Sequence, residues 1–207
     1  MEAEADRACH ELLLRLAGRL PDDLLWRLRD WLSVEGRSAV GATLPRALLR
    51  NRIGLTADER DLLVQAVGGW GAPRRLLDAV LPVHAPEARS AGFRAGAVVP
   101  DVAALCVLAV VRGETGVREL RQSLRIGPRG EQRVVLVLGA DRPWVLTGTL
   151  QRLLRAHGDR TPGVEVLPTG FEPAPYHQAA MTGSTLLWSA TGGEHATAAP
   201  VGALTSA

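Results

Sequence analysis

Along the first eighty positions apolar residues recur every three to four places. Leu12, Leu13, Leu16 and Leu20 share one face with Ala5 and Cys9, the spacing of an amphipathic helix. Pro21 breaks it, and Asp22 and Asp23 open a second helix, where negative charge suits the unpaired N–H groups. The stripe of that helix is Leu24, Leu25, Leu28, Trp31 and Leu32. SAVGATLPRALLRNR (38–52) reads as a third helix, with Pro45 either kinking it or marking its start. Thr56 and Glu59 have the form of a capping box ahead of DLLVQAV. Gly68 and Gly69 end that helix, and Pro73 begins a short one. Four or five short helices with tight connections predict a helical module over 1–83.

Residues 84–97 are rich in Pro, Gly, Ala and Ser and read as a linker or surface loop. The pattern then changes. ALCVLAVV (104–111), RVVLVLG (133–139) and GVEVLP (163–168) are apolar runs of strand length, and STLLW (184–188) could be a fourth. The first of these has the pattern of a buried helix as well. Between the runs, Val117, Leu120 and Leu124 share a helical face, as do Leu146, Leu150, Leu153 and Leu154, and PAPYHQAAM suggests a short helix. Strands alternating with helices predict an α/β domain over 98–189, a small, mostly parallel sheet of about four strands with flanking helices. Glu165, between Val164 and Val166, is expected to face solvent from an edge strand. Residues 190–207 hold small residues and are expected to be disordered.

Charge changes the picture in one place. All 24 basic residues are Arg, which codon use in a G+C-rich bacterial genome would produce. Residues 112–160 carry ten Arg against five acids, a balance of +5 in a chain of net +2. Arg118, Arg121 and Arg125 fall at helical spacing and would form a stripe able to meet an anion or nucleic acid. A solvated helix face is the simpler account, because no aromatic residues interleave with them. Cys9 and Cys106 make no disulfide framework, and the acidic start MEAEAD is unlike a signal peptide. A cytoplasmic setting is therefore expected. The longest apolar stretch is short for a membrane span and contains Pro100 and Asp101, so no membrane association is expected.

Candidate chemistry lies beyond the carboxyl ends of the strands, where open parallel sheets bind ligands. Asp141, Thr147, Thr169 and His177 would converge there as a ligand rim. Asp141 equally suits the cap of the following helix, with Pro143 in its first turn. No phosphate loop, nucleophile motif or paired-histidine metal spacing occurs, so no catalytic residue, metal site or cofactor is expected. Trp26 is off its helix stripe, and so is Leu14. Beside Arg27, they are either covered within the chain or offered to a partner. The function expected is a non-catalytic adapter or accessory protein that binds a protein partner or a second copy through its helical module. A small α/β enzyme or nucleotide-binding domain, and a nucleic-acid binder using the arginine stripe, are the alternatives.

Overall fold

The computed structural model describes residues 2–86, 91–96, 100–127, 130–159 and 163–190. Its first part is helical, as the spacing predicts: α1 (Glu2–Arg15), α2 (Asp22–Ser33), α3 (Arg37–Arg50), α4 (Ala57–Val67), a 3-10 turn at Gly68–Trp70 and α5 (Arg74–Asp78). Leu12, Leu16, Leu28, Leu32, Leu44, Leu48 and Leu63 close the core between them. The capping box at α4 is complete. Glu59 N donates to Thr56 Oγ1 at 3.3 Å, and Thr56 N donates to Glu59 Oε2 at 3.0 Å. The other Glu59 oxygen accepts from buried Arg19 at 2.6 Å, tying the α1–α2 connection to α4. Pro45 lies inside α3, which begins eight residues earlier, so it does not mark the helix start.

The second part is a five-stranded mixed sheet with three helices: β1 (Gly92–Ala95), α6 (Val102–Arg112), β2 (Glu119–Gly127), β3 (Gly130–Leu138), α7 (Pro143–Ala156), β4 (Gly163–Leu167), α8 (Pro175–Thr182) and β5 (Ser184–Ser189). The α/β class and the leading helical module stand. The sheet differs from the expected one in direction: only β3 and β4 run parallel, with α7 as their crossover, and the other three pairings are antiparallel. Long β2 borders β3 on one side. On the other it pairs with β5 through residues 119–123 and with β1 through 123–126.

Three sequence expectations are corrected. The run at 104–111 belongs to a helix, not a strand. Asp101 caps α6, its carboxylate accepting from Ala104 N at 2.8 Å, so Pro100-Asp101 is a helix start. The stretch expected as a helix around Val117, Leu120 and Leu124 is mostly β2. Leu120 and Leu124 stand four apart, which fits a helical turn and also two strand repeats, and the glycines at 127 and 130 close a hairpin with β3. The linker at 84–97 contains edge strand β1; its residues 87–90 and 97 lie outside the described ones. Of the tail expected to be disordered, only Ala190 is described.

One face of the sheet presents Val135, Val137, Val164 and Val166 to α6 and α7. The other presents Val134 and Leu136 to α8. Helix α7 also meets the helical module, since Trp144 belongs to the module's core. Gly148 sets how close α2 comes, because a Cβ there would stand 1.9 Å from Ser33 Oγ and 2.2 Å from Ser33 Cβ. Gly148→Ala is therefore expected to lower stability by roughly 1–3 kcal/mol through overpacking, although Gly to Ala in an open helix interior gains about 1 kcal/mol. Adding Ser33→Gly should remove most of that loss. Thermal denaturation of the four proteins in the cycle checks this, and a neutral or stabilising Gly148→Ala refutes the close α2–α7 seat.

Candidate functional site, a buried polar cluster at the sheet edge

Strand β4 pairs with β3 alone among the described residues, so its outer side carries backbone groups without a ladder. Leu167 O turns inward, accepting from Gly139 N at 2.8 Å. By the alternation of a parallel strand, the carbonyls of Val164 and Val166 turn outward. Helices α1 and α2 cover them with side chains. Arg29 Nη1 donates to Val164 O at 2.8 Å, and His10 Nε2 donates to Val166 O at 2.8 Å.

The side chain of Glu165 points away from its valine neighbours, towards α8. It is 2% exposed, against the sequence expectation of a solvent-facing residue. The strand is at an edge, as expected, but the edge is roofed by helices. Arg29 reaches both carboxylate oxygens, Nη1 to Oε1 at 2.9 Å and Nη2 to Oε2 at 2.7 Å. Its Nη2 also donates to Leu13 O at 3.3 Å. His177 Nε2, on α8, donates to Glu165 Oε2 at 3.1 Å. The guanidinium fork matches the carboxylate bidentately, a geometry unavailable to an ammonium.

Burial alone would raise the Glu165 carboxyl; the Arg29 charge and the His177 hydrogen bond outweigh it and hold the group at about 2. Burial lowers His10 to about 4, partly offset by its bond to Val166 O. The imidazole is thus neutral, with its proton on Nε2. Tyr176, next to His177 on α8, is raised mainly by burial, as is the Cys9 thiol, which leaves that thiol inert. A cavity of about 20 Å3, room for about one water, adjoins Arg29, Glu165, Trp26 and Tyr176. Asp22, Arg125 and Gln132 line it and also line an open surface groove of about 510 Å3. Between them Arg125 pairs with Asp22, Nη1 to Oδ1 at 3.0 Å, and with Gln132. Buried and with both oxygens engaged, the carboxylate serves as a fastening between helices and sheet.

The expected ligand rim does not assemble. Asp141 is exposed and accepts from Thr115 Oγ1 at 2.7 Å. It does not cap α7, whose N-cap position is Arg142, without a side-chain cap; Pro143 does occupy the first turn. Thr147 is buried, donating to Pro143 O in its own helix at 2.8 Å. Thr169 is exposed, and His177 is enclosed on the sheet's opposite face from α7. Nor do Arg118, Arg121 and Arg125 form a helical stripe. Arg118 precedes β2, Arg121 pairs with Glu119 at 2.8 Å, and Arg125 is taken by Asp22. Leu14 is fully buried and contributes to no surface patch. Trp26 is half-buried, with the Arg155 guanidinium 4.3 Å from its ring centre, so α7 covers it. Arg27 alone of that trio is exposed.

Reading the sequence missed Arg29, His10 and Glu165 as a set. The signal was present: Arg29 sits four residues after Leu25 and three before Leu32, a charge on an apolar stripe, and Glu165 is a charge within an apolar strand.

Two predictions follow from the cluster's charges. His10 titrates at 6.5 ordinarily and at about 4 in the fold, so the unfolded chain takes up that proton first. His10 then contributes stability that is present above pH ~6.5 and lost as pH falls towards ~4, on the order of 3 kcal/mol in all. Glu165, lowered from 4.5 to about 2, contributes stability lost over that lower window. Acidification should therefore lower the melting temperature in two stages, the first by roughly 6–12 °C. His10→Gln keeps an N–H for Val166 O, cannot titrate, and should flatten the first stage; an unchanged profile would refute the neutral seat. Separately, Glu165→Gln strands the Arg29 charge in the interior and should cost about 3–5 kcal/mol in denaturant unfolding. Arg29→Met with Glu165→Leu should recover only part, because Val164 O then lacks its donor.

No known protein family, curated protein or solved structure matches the chain.

Proposed function

We propose that the chain is a non-catalytic adapter or accessory protein that engages a protein partner, or a second copy of itself, through its helical module. The observation that carries this reading is a contrast within α2. Arg29 is sealed against the sheet, where its charge holds the helical layer in place. Arg27, two residues earlier, is exposed and has no ion-pair partner among the described residues. The inner face of the helix is devoted to anchoring and its outer face to solvent or to another molecule. The outer side of the module also exposes Val34, Val64 and Leu81, each more than half accessible. Enclosure of Glu165 and His177 supports the same reading, because this buried acid–base pair between β4 and α8 is engaged in holding elements together.

Light scattering over a wide concentration range, paired with affinity capture from the source cells, tests the proposal. The expected result is self-association, or a partner retained by the wild type and released by Arg27→Glu. A monomer at every concentration that retains nothing overturns it.

A further inference from the structure

We propose that the cleft between α2 and α3 receives an acidic segment of a protein partner. The inference rests on the binding-protein reading and names the chemistry of the occupant. The cleft measures about 470 Å3 and has Leu24 and Ala47 among its lining residues, an apolar floor. Three cations border it. Arg27 comes from α2; Arg46 and Arg50 come from α3 one helical turn apart, which places them in a row about 6 Å along the helix. None of the three has an ion-pair partner among the described residues, and Arg46 donates only to Ala42 O of its own helix. Elsewhere Arg19, Arg29, Arg37, Arg94, Arg125 and Arg133 each hold a carboxylate, and of the described arginines that make no ion pair these three share one cleft. The sequence shows the same bias, since residues 36–57 contain four Arg and no acid. Among the described residues Asp23 is the one carboxylate in the cleft lining, leaving a local excess of two positive charges.

Charge complementarity requires an acidic occupant, and the lining selects a peptide over a nucleic acid. Among the described residues no aromatic ring lines the cleft, so bases find no stacking surface there. Asp23 would repel a continuous phosphate backbone. Carboxylates spaced by one helical turn, or by two residues of a strand, match the Arg46–Arg50 row, and an apolar residue among them would rest on Leu24 and Ala47. Thr43 stands at the lining to bond the peptide backbone, as does the amide oxygen of Asn51, whose Nδ2 donates to Ala47 O at 2.8 Å.

Fluorescence anisotropy with the full chain tests this. The probes are a labelled peptide alternating Glu with Leu, its Gln-for-Glu counterpart, and an oligo-dT of equal charge. The Glu peptide should bind, the Gln peptide should not, and added salt should weaken binding. The pair Arg46→Glu with Arg50→Glu should weaken it at least about tenfold, and Arg27→Glu should do so independently. Arg7→Glu with Arg112→Glu, an equal charge change at exposed sites outside the cleft lining, should alter it less than about twofold. Unchanged circular dichroism confirms that each variant folds. Absence of Glu-peptide binding overturns the inference, as does an equal loss in the control pair, or tighter oligo-dT binding with the same sensitivity. If a partner or self-association survives Arg46→Glu with Arg50→Glu and no acidic peptide binds, the cleft is refuted and the binding-protein reading stands. A partnerless monomer that holds the peptide in the cleft refutes that reading and leaves the cleft.

Discussion

The free side of β4 is the constraint from which much of the architecture follows. A strand at the edge of a sheet leaves alternate carbonyls facing outward, and burying them unpaired costs free energy. Here the covering elements are helices, which have no backbone donors to offer sideways. Side chains must reach in, and Arg29 and His10 do so. The first choice forces others. A guanidinium in the interior needs a counter-charge, which Glu165 supplies from the same strand. The imidazole must stay neutral, which burial ensures. His177 then engages the remaining capacity of the carboxylate and brings α8 into the arrangement.

Such a cluster adds little net stability compared with a well-packed apolar substitute, because two charges lose their hydration. Its contribution is positional. Side chains of a strand alternate, so sliding β4 by one residue would turn Glu165 onto the apolar face packed by α7 and turn a valine towards Arg29. The charge pair fixes which way β4 faces and where α2 lies along it. Helix α7 holds the same relation from the other side, giving Leu146, Leu150 and Leu154 to the sheet and Trp144 to the helical core. The tight approach at Gly148 keeps α2 in register with it.

This coupling explains what could be read from the sequence and what could not. Elements whose signals are local were legible: the α4 capping box, Pro21 ahead of α2, Pro143 opening α7, and the apolar runs of β3 and β4. Ambiguity arose where two periods coincide. Leu120 and Leu124 satisfy both a helix and a strand, and α6, apolar on most sides, resembles a buried strand until Asp101 is recognised as its cap. The strand directions followed from that confusion, since a helix after the 104–111 run would have implied a crossover where the chain makes a hairpin. The buried cluster was hidden for another reason. Glu165 looks solvent-facing on a half-covered edge strand, and only contacts 136 residues apart in the chain reveal the roof above it. Leu14 failed likewise: α1 lies between the helical core and the sheet, so its second side is buried too.

The exclusive use of arginine gains physical meaning from this geometry, whatever its genomic cause. Through two terminal nitrogens Arg29 makes four hydrogen bonds, to two carboxylate oxygens and two backbone carbonyls. A lysine in its place has three donors on one nitrogen and no planar fork, so it could not bridge Val164 O, Leu13 O and both oxygens of Glu165 at once. The same side-chain type at Arg27, Arg46 and Arg50 meets no carboxylate among the described residues, and an unpaired guanidinium on a surface keeps its hydrogen-bonding capacity available. A chain that pairs Arg19, Arg29 and Arg125 with acids where elements join, yet gathers three arginines without an ion pair among the described residues beside one apolar floor, separates its structural charges from its available ones. That separation, more than the total charge of +2, sets how positive charge is distributed over this part of the surface.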